Sequence, residues 1–240
     1  MSRRPAAWVF VGDLDELELG AADAHHLSRV LRLRPGEAVG ASDGAGSWRS
    51  CVVAGATGGE VRLDPTGEVV TDAPPDPPIT VGFSLVKGDR PELIVQKLTE
   101  LGVDRILPLA AARSVVRWDA DRSVRGLARL RQVAREAAMQ ARRAWLPEVA
   151  PPATVAAAAA AVGAAGGLCE QGGGEPLSLR RPALLVGPEG GWAPQEATCG
   201  LPAVGLGPTT LRSETAAITA GVLLCGLRSG TVGQASGRPG

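Results

Sequence analysis

The 240-residue chain has little of what disulfides and metal sites require. Its four cysteines lie far apart without paired spacing, which predicts reduced core thiols rather than disulfides or a zinc site. Only two histidines occur, which makes a catalytic transition-metal site hard to build, so we predict no metal. We interpret the histidines as packing or capping residues of a first helix. The residues concerned are Cys51, Cys169, Cys199, Cys225, His25 and His26.

Long apolar runs and several nucleotide motifs are also missing. No run approaches the ~20 residues of a membrane span, and the first ten residues do not resemble a signal peptide. We therefore expect a cytoplasmic protein. The chain contains no Gly-x-x-x-x-Gly-Lys-Ser/Thr, and no Gly-x-Gly-x-x-Gly follows a strand. These absences argue against a P-loop and the usual dinucleotide site.

Net charge is zero, yet the positive charge is unevenly distributed. Between Arg113 and Arg143 there are nine arginines and three acids, whereas residues 1–70 hold seven arginines and ten acids. Such a basic segment is typical of phosphate binding. A solvated, arginine-rich helix would show the same composition, so charge alone leaves both interpretations open.

Four prolines within residues 71–78 predict a stiff linker, because proline fixes φ and lacks an N–H donor. We therefore expect a first domain at 1–72, a linker at 73–78, a second domain at 79–229 and a disordered tail at 230–240. In the first domain, short β-prone runs broken by Asp43-Gly44 and Gly58-Gly59 indicate a small β-barrel or sandwich. One helix, about 22–33, interrupts these runs.

The second domain alternates apolar runs of strand length with helical periodicity. Strands are predicted at 79–86, 105–109, 183–186 and 203–206, and helices from Asp89 as N-cap to Gly102, at about 126–142 and at 214–227. Residues 153–167 read as a poor surface helix and a loop. This alternation predicts an α/β fold with a mostly parallel sheet covered on both faces.

Two glycine-rich turns follow consecutive strands of this domain. The first is Gly187-Pro-Glu-Gly-Gly-Trp192, and the second is Leu206-Gly-Pro-Thr-Thr-Leu-Arg-Ser-Glu-Thr-Ala216. Glycine lets a ligand approach the backbone, and ligands bind beyond the carboxyl ends of parallel strands. Each turn alone could be a tight connection, and Arg212 and Glu214 could pair structurally. Ser213 could cap the last helix. Together the turns favour a shared pocket.

These two turns resemble the cofactor motifs of the SPOUT methyltransferases, and within them the 16S ribosomal RNA uridine-N3 methyltransferases. Three further segments match in the same order, so the resemblance runs from about Trp8 to Leu227. They are His25-His-Leu-Ser-Arg-Val-Leu-Arg32 with Pro35-Gly-Glu37, Lys87-Gly-Asp-Arg90 with Gln96-Lys-x-Thr-Glu-Leu-Gly-Val103, and Arg113-Ser114 with Glu136-Ala-Ala-x-Gln140, Arg143 and Pro147-Glu-Val149. The family usually has phenylalanine at Trp192 and threonine at Ser213, and often glycine at Arg142 and an acid at Met139.

The resemblance implies a SPOUT-type α/β domain with a trefoil knot, preceded by a small PUA-like β-barrel domain, and a homodimer. It implies methyl transfer from S-adenosylmethionine to N3 of a uridine in 16S ribosomal RNA, or in the small ribosomal subunit, without a metal. The implied cofactor residues are Gly187, Pro188, Glu189, Gly190, Gly191, Leu206, Gly207, Leu211, Arg212, Ser213, Glu214, Thr215 and Ala216.

Attack by N3 of uracil requires loss of its proton, and a cation near O2 or O4 would stabilise the anion. The candidate cations are Arg143 and Arg212, and the candidate proton acceptors or orienting groups are Glu136 and Glu189. Structural ion pairs are the alternative role for all four. Phosphate contacts, or solvated surface charges, are expected at Arg29, Arg32, Arg34, Arg90, Arg113 and Arg117.

Two other functions fit parts of the sequence. A SPOUT enzyme acting on a ribose hydroxyl or a transfer RNA is one, and the segment from His25 to Arg32 argues against it. A non-enzymatic RNA-binding or ribosome-assembly factor is the other, and the intact turns at 187–191 and 211–216 argue against that.

Overall fold

The computed structural model of the chain describes residues 5–57 and 60–233. The Gly58-Gly59 turn and most of the predicted tail, residues 234–240, lie outside the described residues. The chain forms two compact units. The first consists of Met1–Pro74 together with Arg135–Leu146, and the second of Pro75–Ala134 together with Pro147–Gly240. The predicted boundaries at 72 and 79 did not anticipate that a later segment joins the first unit.

The described residues of the first unit form a five-stranded mixed sheet. Strand β1 runs parallel to β2, and the ladders β2–β3, β3–β4 and β3–β5 are antiparallel. A short helix, α1, continues as a π-helical turn, His26–Val30, within the helix predicted at 22–33. The elements are β1 (Ala7–Phe10), α1 (Ala21–His25), β2 (Ala38–Ser42), β3 (Ser47–Thr57), β4 (Glu60–Pro65) and β5 (Val70–Thr71).

Residues 135–146 complete the core of this unit. Ala138 and Ala144 are buried against Trp8 and Phe10, and the Ser42 hydroxyl donates to the Ala144 carbonyl at 3.0 Å. A β-bridge pairs residue 45 with residue 145. The N-terminal sheet therefore acquires its packing partner from a segment 60 or more residues further along the chain.

A left-handed residue ends the helical part of this segment. Arg142 has φ of +56°, in the region that glycine adopts at least cost. The resembled family often has glycine at this position, and the backbone conformation supplies a physical reason for that preference.

The described residues of the second unit form an eight-stranded sheet in which every ladder is parallel. The strand order is β11-β13-β10-β12-β6-β7-β8, and β9 also pairs with β7. The elements are β6 (Thr80–Ser84), α2 (Arg90–Leu101), β7 (Arg105–Ala110), α3 (Ala120–Ala141, which continues into the first unit), β8 (Glu148–Val149), β9 (Ala153–Thr154), α4 (Val155–Val162), β10 (Gly166–Cys169), β11 (Glu175–Pro176), β12 (Ala183–Val186), α5 (Pro194–Ala197), β13 (Ala203–Gly205) and α6 (Ser213–Arg228).

The apolar strands of this sheet are buried, as expected for a parallel sheet with both faces covered. Ile79, Phe83 and Leu184 belong to one core cluster with residues of α2, α3 and α6. Leu109 and Leu185 belong to another, with residues of α4. The predicted parallel α/β fold is confirmed.

Residues 153–167 were predicted as a poor helix and a loop, and this prediction was wrong for the last two residues. Gly166 and Gly167 begin β10, a central strand that pairs with both β12 and β13. A Cβ on Gly166 would lie 2.4 Å from Val162 Cγ2, and one on Gly167 would lie 2.7 Å from Val204 Cγ2. Close packing therefore requires glycine in this strand, and glycine conceals the strand from propensity rules.

Helix α2 follows its predicted limits with one difference. Gly102 ends the helix with φ of +98°, as predicted. Asp89 holds the N-cap position, but within the described chain its side chain makes no capping hydrogen bond. Pro91 near the helix start supplies the preset φ that favours helix initiation.

Among the described residues, the helices include none that is long and apolar enough to cross a membrane. The trefoil knot stays a prediction of the resemblance.

Candidate active site

Three parallel strands of the second unit end side by side. β10 lies between β12 and β13, with Cys169 opposite both Val186 and Val204. The chain segments that follow these strands meet at one edge of the sheet, which is where ligands of α/β sheets bind. The segments are residues 170–171, 187–192 and 206–211.

A cavity of about 340 Å³ opens at this edge. Its volume lies within the usual range for small-molecule sites. Nine predicted cofactor residues line it, namely Gly187, Pro188, Glu189, Gly191, Leu206, Gly207, Leu211, Ser213 and Ala216. The other predicted residues, Gly190, Arg212, Glu214 and Thr215, are chain neighbours of the lining residues.

Other lining residues were absent from the predicted set. They are Cys169, Glu170, Gln171, Val186, Trp192, Thr209 and Thr210. Trp192 and the two threonines lie inside the glycine-rich motifs and could have been included on that basis. Cys169, Glu170 and Gln171 end or follow β10, the strand that the sequence analysis took for a loop.

The Trp192 indole is buried and joins two of the strand ends. Its N–H donates to the Cys169 carbonyl at 3.2 Å, and its ring lies against Gly187. A Cβ on Gly187 would be 3.0 Å from Trp192 Cε2, so a side chain at this position would press against the ring. The phenylalanine usual in the resembled family would fill this space without the N–H donor.

Glu170 places a half-buried carboxylate in the cavity wall. In the part of the chain that the structure describes, this carboxylate has no hydrogen-bond or ion-pair partner. An ionised carboxylate can accept hydrogen bonds at both of its oxygens. Glu170 is therefore a natural acceptor for the donor groups of a ligand.

Cys169 lines the cavity as a protonated thiol. Burial raises the pKa of this thiol to about 12, because the thiolate would lose its hydration. Cys169 is thus an apolar wall residue at neutral pH, and a poor nucleophile.

The start of α6 is tied to the loop after β12. Ser213 is 3% exposed, and its hydroxyl donates to the Gly187 carbonyl at 2.8 Å. Arg212 holds the N-cap position of α6. The prediction that Ser213 caps the helix was therefore wrong, because a tertiary acceptor takes its hydroxyl. Arg212 is exposed, with no side-chain partner among the described residues.

Arg90, predicted as a phosphate contact, lies between two carboxylates. Its Nη1 is 3.9 Å from Glu189 Oε1 and 3.6 Å from Glu214 Oε1. The ion pair of Glu214 is therefore with Arg90 and not with Arg212, the partner considered from sequence. Glu214 Oε2 is buried and has no hydrogen-bond partner among the described residues.

Arg113 and Arg117, also predicted as phosphate contacts, bond to carbonyl groups. Arg113 Nη1 donates to the Gly190 carbonyl at 3.0 Å, whereas Arg117 Nη2 donates to Ala112 within its own loop, at 3.2 Å. Glu196 fixes this loop by accepting from the Ala112 N–H at 2.7 Å, while its other oxygen accepts from the Ala193 N–H at 2.9 Å.

The remaining predicted residues belong to the first unit. Arg29, Arg32 and Arg34 are exposed, and Arg32 has φ of +52°. Glu136 is exposed and Arg143 is half-buried. Of the four candidate catalytic residues, Glu189 and Arg212 belong to the second unit, where Glu189 lines the cavity and Arg212 lies between two lining residues.

Two family models match the chain. Residues 74–224 match a model described as the RNA methyltransferase domain, and residues 19–66 match a model described as the RNA methyltransferase PUA domain. The fold and the cavity thus define a class, in which a PUA domain accompanies an RNA methyltransferase domain with a parallel α/β sheet. The predicted SPOUT-type fold class is confirmed.

Relatives and solved structures narrow this class. The chain is 40% identical to the ribosomal RNA small subunit methyltransferase E of Mycobacterium bovis, over 82% of this chain and 81% of the relative. The chain therefore belongs to the ribosomal RNA small subunit methyltransferase E family.

Two solved structures share this fold. The enzyme of the same name from Neisseria gonorrhoeae, bound to S-adenosyl methionine, is 27% identical with a TM-score of 0.77, over 91% of this chain and 96% of that one. A methyltransferase from Legionella pneumophila, in complex with the same cofactor, is 25% identical with a TM-score of 0.81, over 92% and 97%.

Proposed function

We propose that this chain transfers a methyl group from S-adenosylmethionine to N3 of a uridine in 16S ribosomal RNA. The observation that carries the proposal is the cavity where β10, β12 and β13 end, lined by glycine-rich turns and one unpaired carboxylate. The S-adenosylmethionine bound by the Neisseria and Legionella proteins, and the names of the relatives, support the cofactor and the RNA class.

The lining of the cavity fits such a cofactor. Leu206, Leu211 and Trp192 provide apolar surface for an adenine ring, and peptide groups of the glycine-rich turns can bond its edge. The Glu170 carboxylate and the Gln171 amide provide polar partners for ribose hydroxyls or an ammonium group. When bound, the cofactor would supply a methyl carbon on a sulfonium. The bond from N3 to that carbon would form as the sulfur–carbon bond breaks, with a neutral thioether as leaving group, so the proposed reaction needs no metal.

Side chains of the protein would activate the uracil for attack. N3 must lose a proton, and a guanidinium near O2 or O4 would stabilise the resulting charge. Arg212 is favoured for that role because it is exposed, unpaired among the described residues and next to two lining residues. Glu189 in the cavity wall is favoured as the proton acceptor or orienting group. Arg143 and Glu136 of the first unit remain candidates for the same two roles.

RNA binding is proposed for the exposed arginines of the first unit. Arg29, Arg32 and Arg34 lie in or just after the π-helical turn, and Val30 and Leu31 beside them are exposed. Guanidinium groups fix the register of RNA through phosphates, and apolar side chains can lie against an unstacked base. Arg117 is proposed as a further phosphate contact.

The proposal also includes a homodimer, as the sequence resemblance implies. Light scattering of the purified chain tests this part separately, and a mass of one protomer at working concentration would contradict it.

The reaction is tested with labelled cofactor and small ribosomal subunits from cells that lack this gene, followed by nucleoside mass spectrometry. The expected product is a single N3-methyluridine. Label on a ribose or on another base would support methyltransferase activity but would contradict the proposed N3 position. Cofactor binding without methyl transfer to subunits or to naked 16S RNA would contradict the proposal that this RNA is the substrate.

A further inference from the structure

The cofactor loop, defined as residues 187–191, is held from outside by three side chains. Ser213 donates to its first carbonyl, Gly187, and Arg113 donates to its fourth, Gly190. Arg90 lies within ion-pair range of its only carboxylate, Glu189. Each of these side chains comes from a different part of the second unit: the start of α6, the loop after β7 and the start of α2.

We propose that Arg90 and Arg113 are positioning residues for the cofactor loop, a role distinct from the phosphate contact predicted for them; the inference rests on the proposed function. Both cations act through the loop, and neither lines the cavity.

Arg90 lies within ion-pair range of two carboxylates that belong to different segments. One guanidinium faces the carboxylates of Glu189 and Glu214, so the cluster has a formal charge of minus one and offers no net attraction to a phosphate. Glu189 belongs to the loop after β12, and Glu214 to the first turn of α6. Arg90 thus holds together two segments whose carboxylates would otherwise repel each other.

The carboxylate of Glu214 is mostly buried and depends on Arg90 as its counter-ion. Its side chain is 15% exposed, and its Oε2 is buried without a hydrogen-bond partner among the described residues. A carboxylate in that setting depends on its counter-ion, because removal of one partner leaves an uncompensated buried charge. Loss of Arg90 should therefore separate the cofactor loop from α6.

Arg113 holds the cofactor loop at Gly190. Arg113 Nη1 donates to the Gly190 carbonyl at 3.0 Å, and a Cβ on Gly190 would lie 3.6 Å from Arg113 Cβ, so the two residues are close neighbours. A residue whose only task is to reach a phosphate does not need this contact.

A loop held in its binding conformation raises cofactor affinity, because the cost of ordering it is already met in the free protein. For Arg90→Met, amide exchange of residues 187–191 in the free protein should accelerate, and cofactor affinity without RNA should fall, each by about tenfold. Arg90→Lys should recover part of both. For Arg113→Met we expect a loss of about threefold, typical of one hydrogen bond.

Lys97→Met is the matched control. Lys97 lies on the same helix, α2, is 39% exposed where Arg90 is 40%, and forms a surface ion pair with Glu100. Its replacement should leave loop exchange and cofactor affinity unchanged. The double variant Arg90→Met/Glu214→Gln should regain affinity relative to Arg90→Met, because the unpaired buried carboxylate is gone.

Amide exchange of the cofactor-free protein tests the positioning role of Arg90 and Arg113 independently of cofactor binding. Unchanged exchange of residues 187–191 in both Arg90→Met and Arg113→Met would overturn it. So would unchanged cofactor affinity combined with a shallower salt dependence of RNA binding, the signature of a lost phosphate contact. A wild-type chain that fails to bind S-adenosylmethionine would instead refute the proposed function.

Discussion

Glu170 follows β10 directly, lines the cavity and has no ion-pair or hydrogen-bond partner for its carboxylate among the described residues. If it accepts from the cofactor, Glu170→Gln should weaken cofactor binding about tenfold, equivalent to 1.4 kcal/mol, because a charge-assisted hydrogen bond becomes a neutral one. Titration calorimetry measures the change. Glu175→Gln is the control, because Glu175 is exposed and bonded to Arg181 on the same segment. Equal affinities for wild type and Glu170→Gln would refute this role.

The thiol of Cys169 provides a pH-dependent test. With its pKa raised to about 12 by burial, only about one molecule in ten thousand carries the thiolate at pH 8. Since the thiolate is the reactive form, labelling by iodoacetamide should be very slow at pH 8 and should accelerate as pH rises. Mass spectrometry of the Cys169 peptide gives the rate, with the unfolded protein as reference. Rapid labelling in the folded state would show that the thiol is not buried as described.

At the scale of elements, Ser213 joins the first turn of α6 to the loop after β12. Ser213→Ala should destabilise the protein by about 1 to 2 kcal/mol, because the part-buried Gly187 carbonyl loses its donor. Urea denaturation measures the loss. Ser213→Thr retains the hydroxyl and matches the residue usual in the resembled family, so it should stay close to wild type. A Thr variant as unstable as the Ala variant would indicate that packing, and not the hydrogen bond, matters here.

Elements defined by apolar runs could be predicted from the sequence, and elements made possible by glycine could not. Strand β12 was predicted at its observed limits, because four apolar residues end at Gly187. Strand β10 was missed because Gly166 and Gly167 have low strand propensity, and only the side chains of Val162 and Val204 explain why glycine is needed there.

The candidate site shows the same division between local and tertiary information. The family resemblance, carried by glycine-rich turns after two strands, identified nine residues of the cavity wall, because such motifs are local in sequence. The partners of Arg90 and Ser213 could not be predicted, since each contact joins segments more than 20 residues apart. Local rules instead suggested a helix cap for Ser213, and the phosphate contact of Arg90 stays a prediction.

At the scale of the whole chain, Arg228 holds the end of α6 to distant parts of the second unit. It pairs with Asp104 and donates to the carbonyl groups of Gly102 at 2.7 Å and Pro77 at 3.2 Å. Its side chain is 18% exposed and that of Asp104 is 14% exposed. Arg228 thereby joins the last helix of the unit to its first residues.

Replacement of Arg228 by methionine should lower the free energy of unfolding by about 3 kcal/mol, because a mostly buried carboxylate loses its counter-ion. The urea midpoint measures this. Lys97→Met removes a more exposed pair and should cost no more than about 1 kcal/mol. Similar losses in the two variants would show that the Arg228 pair contributes no more than a surface ion pair.

The recruitment of residues 135–146 into the first unit has a consequence for how the protein is made. Ser42, Phe10 and Asp23 meet their partners Ala144 and Arg135 only after a further hundred or so residues have been synthesised. A growing chain on the ribosome cannot finish its N-terminal unit while that segment is still in the exit tunnel. For the same reason, a fragment cut at the proline-rich linker would lack part of its own core. Any attempt to study the N-terminal unit alone must therefore graft residues 135–146 onto it.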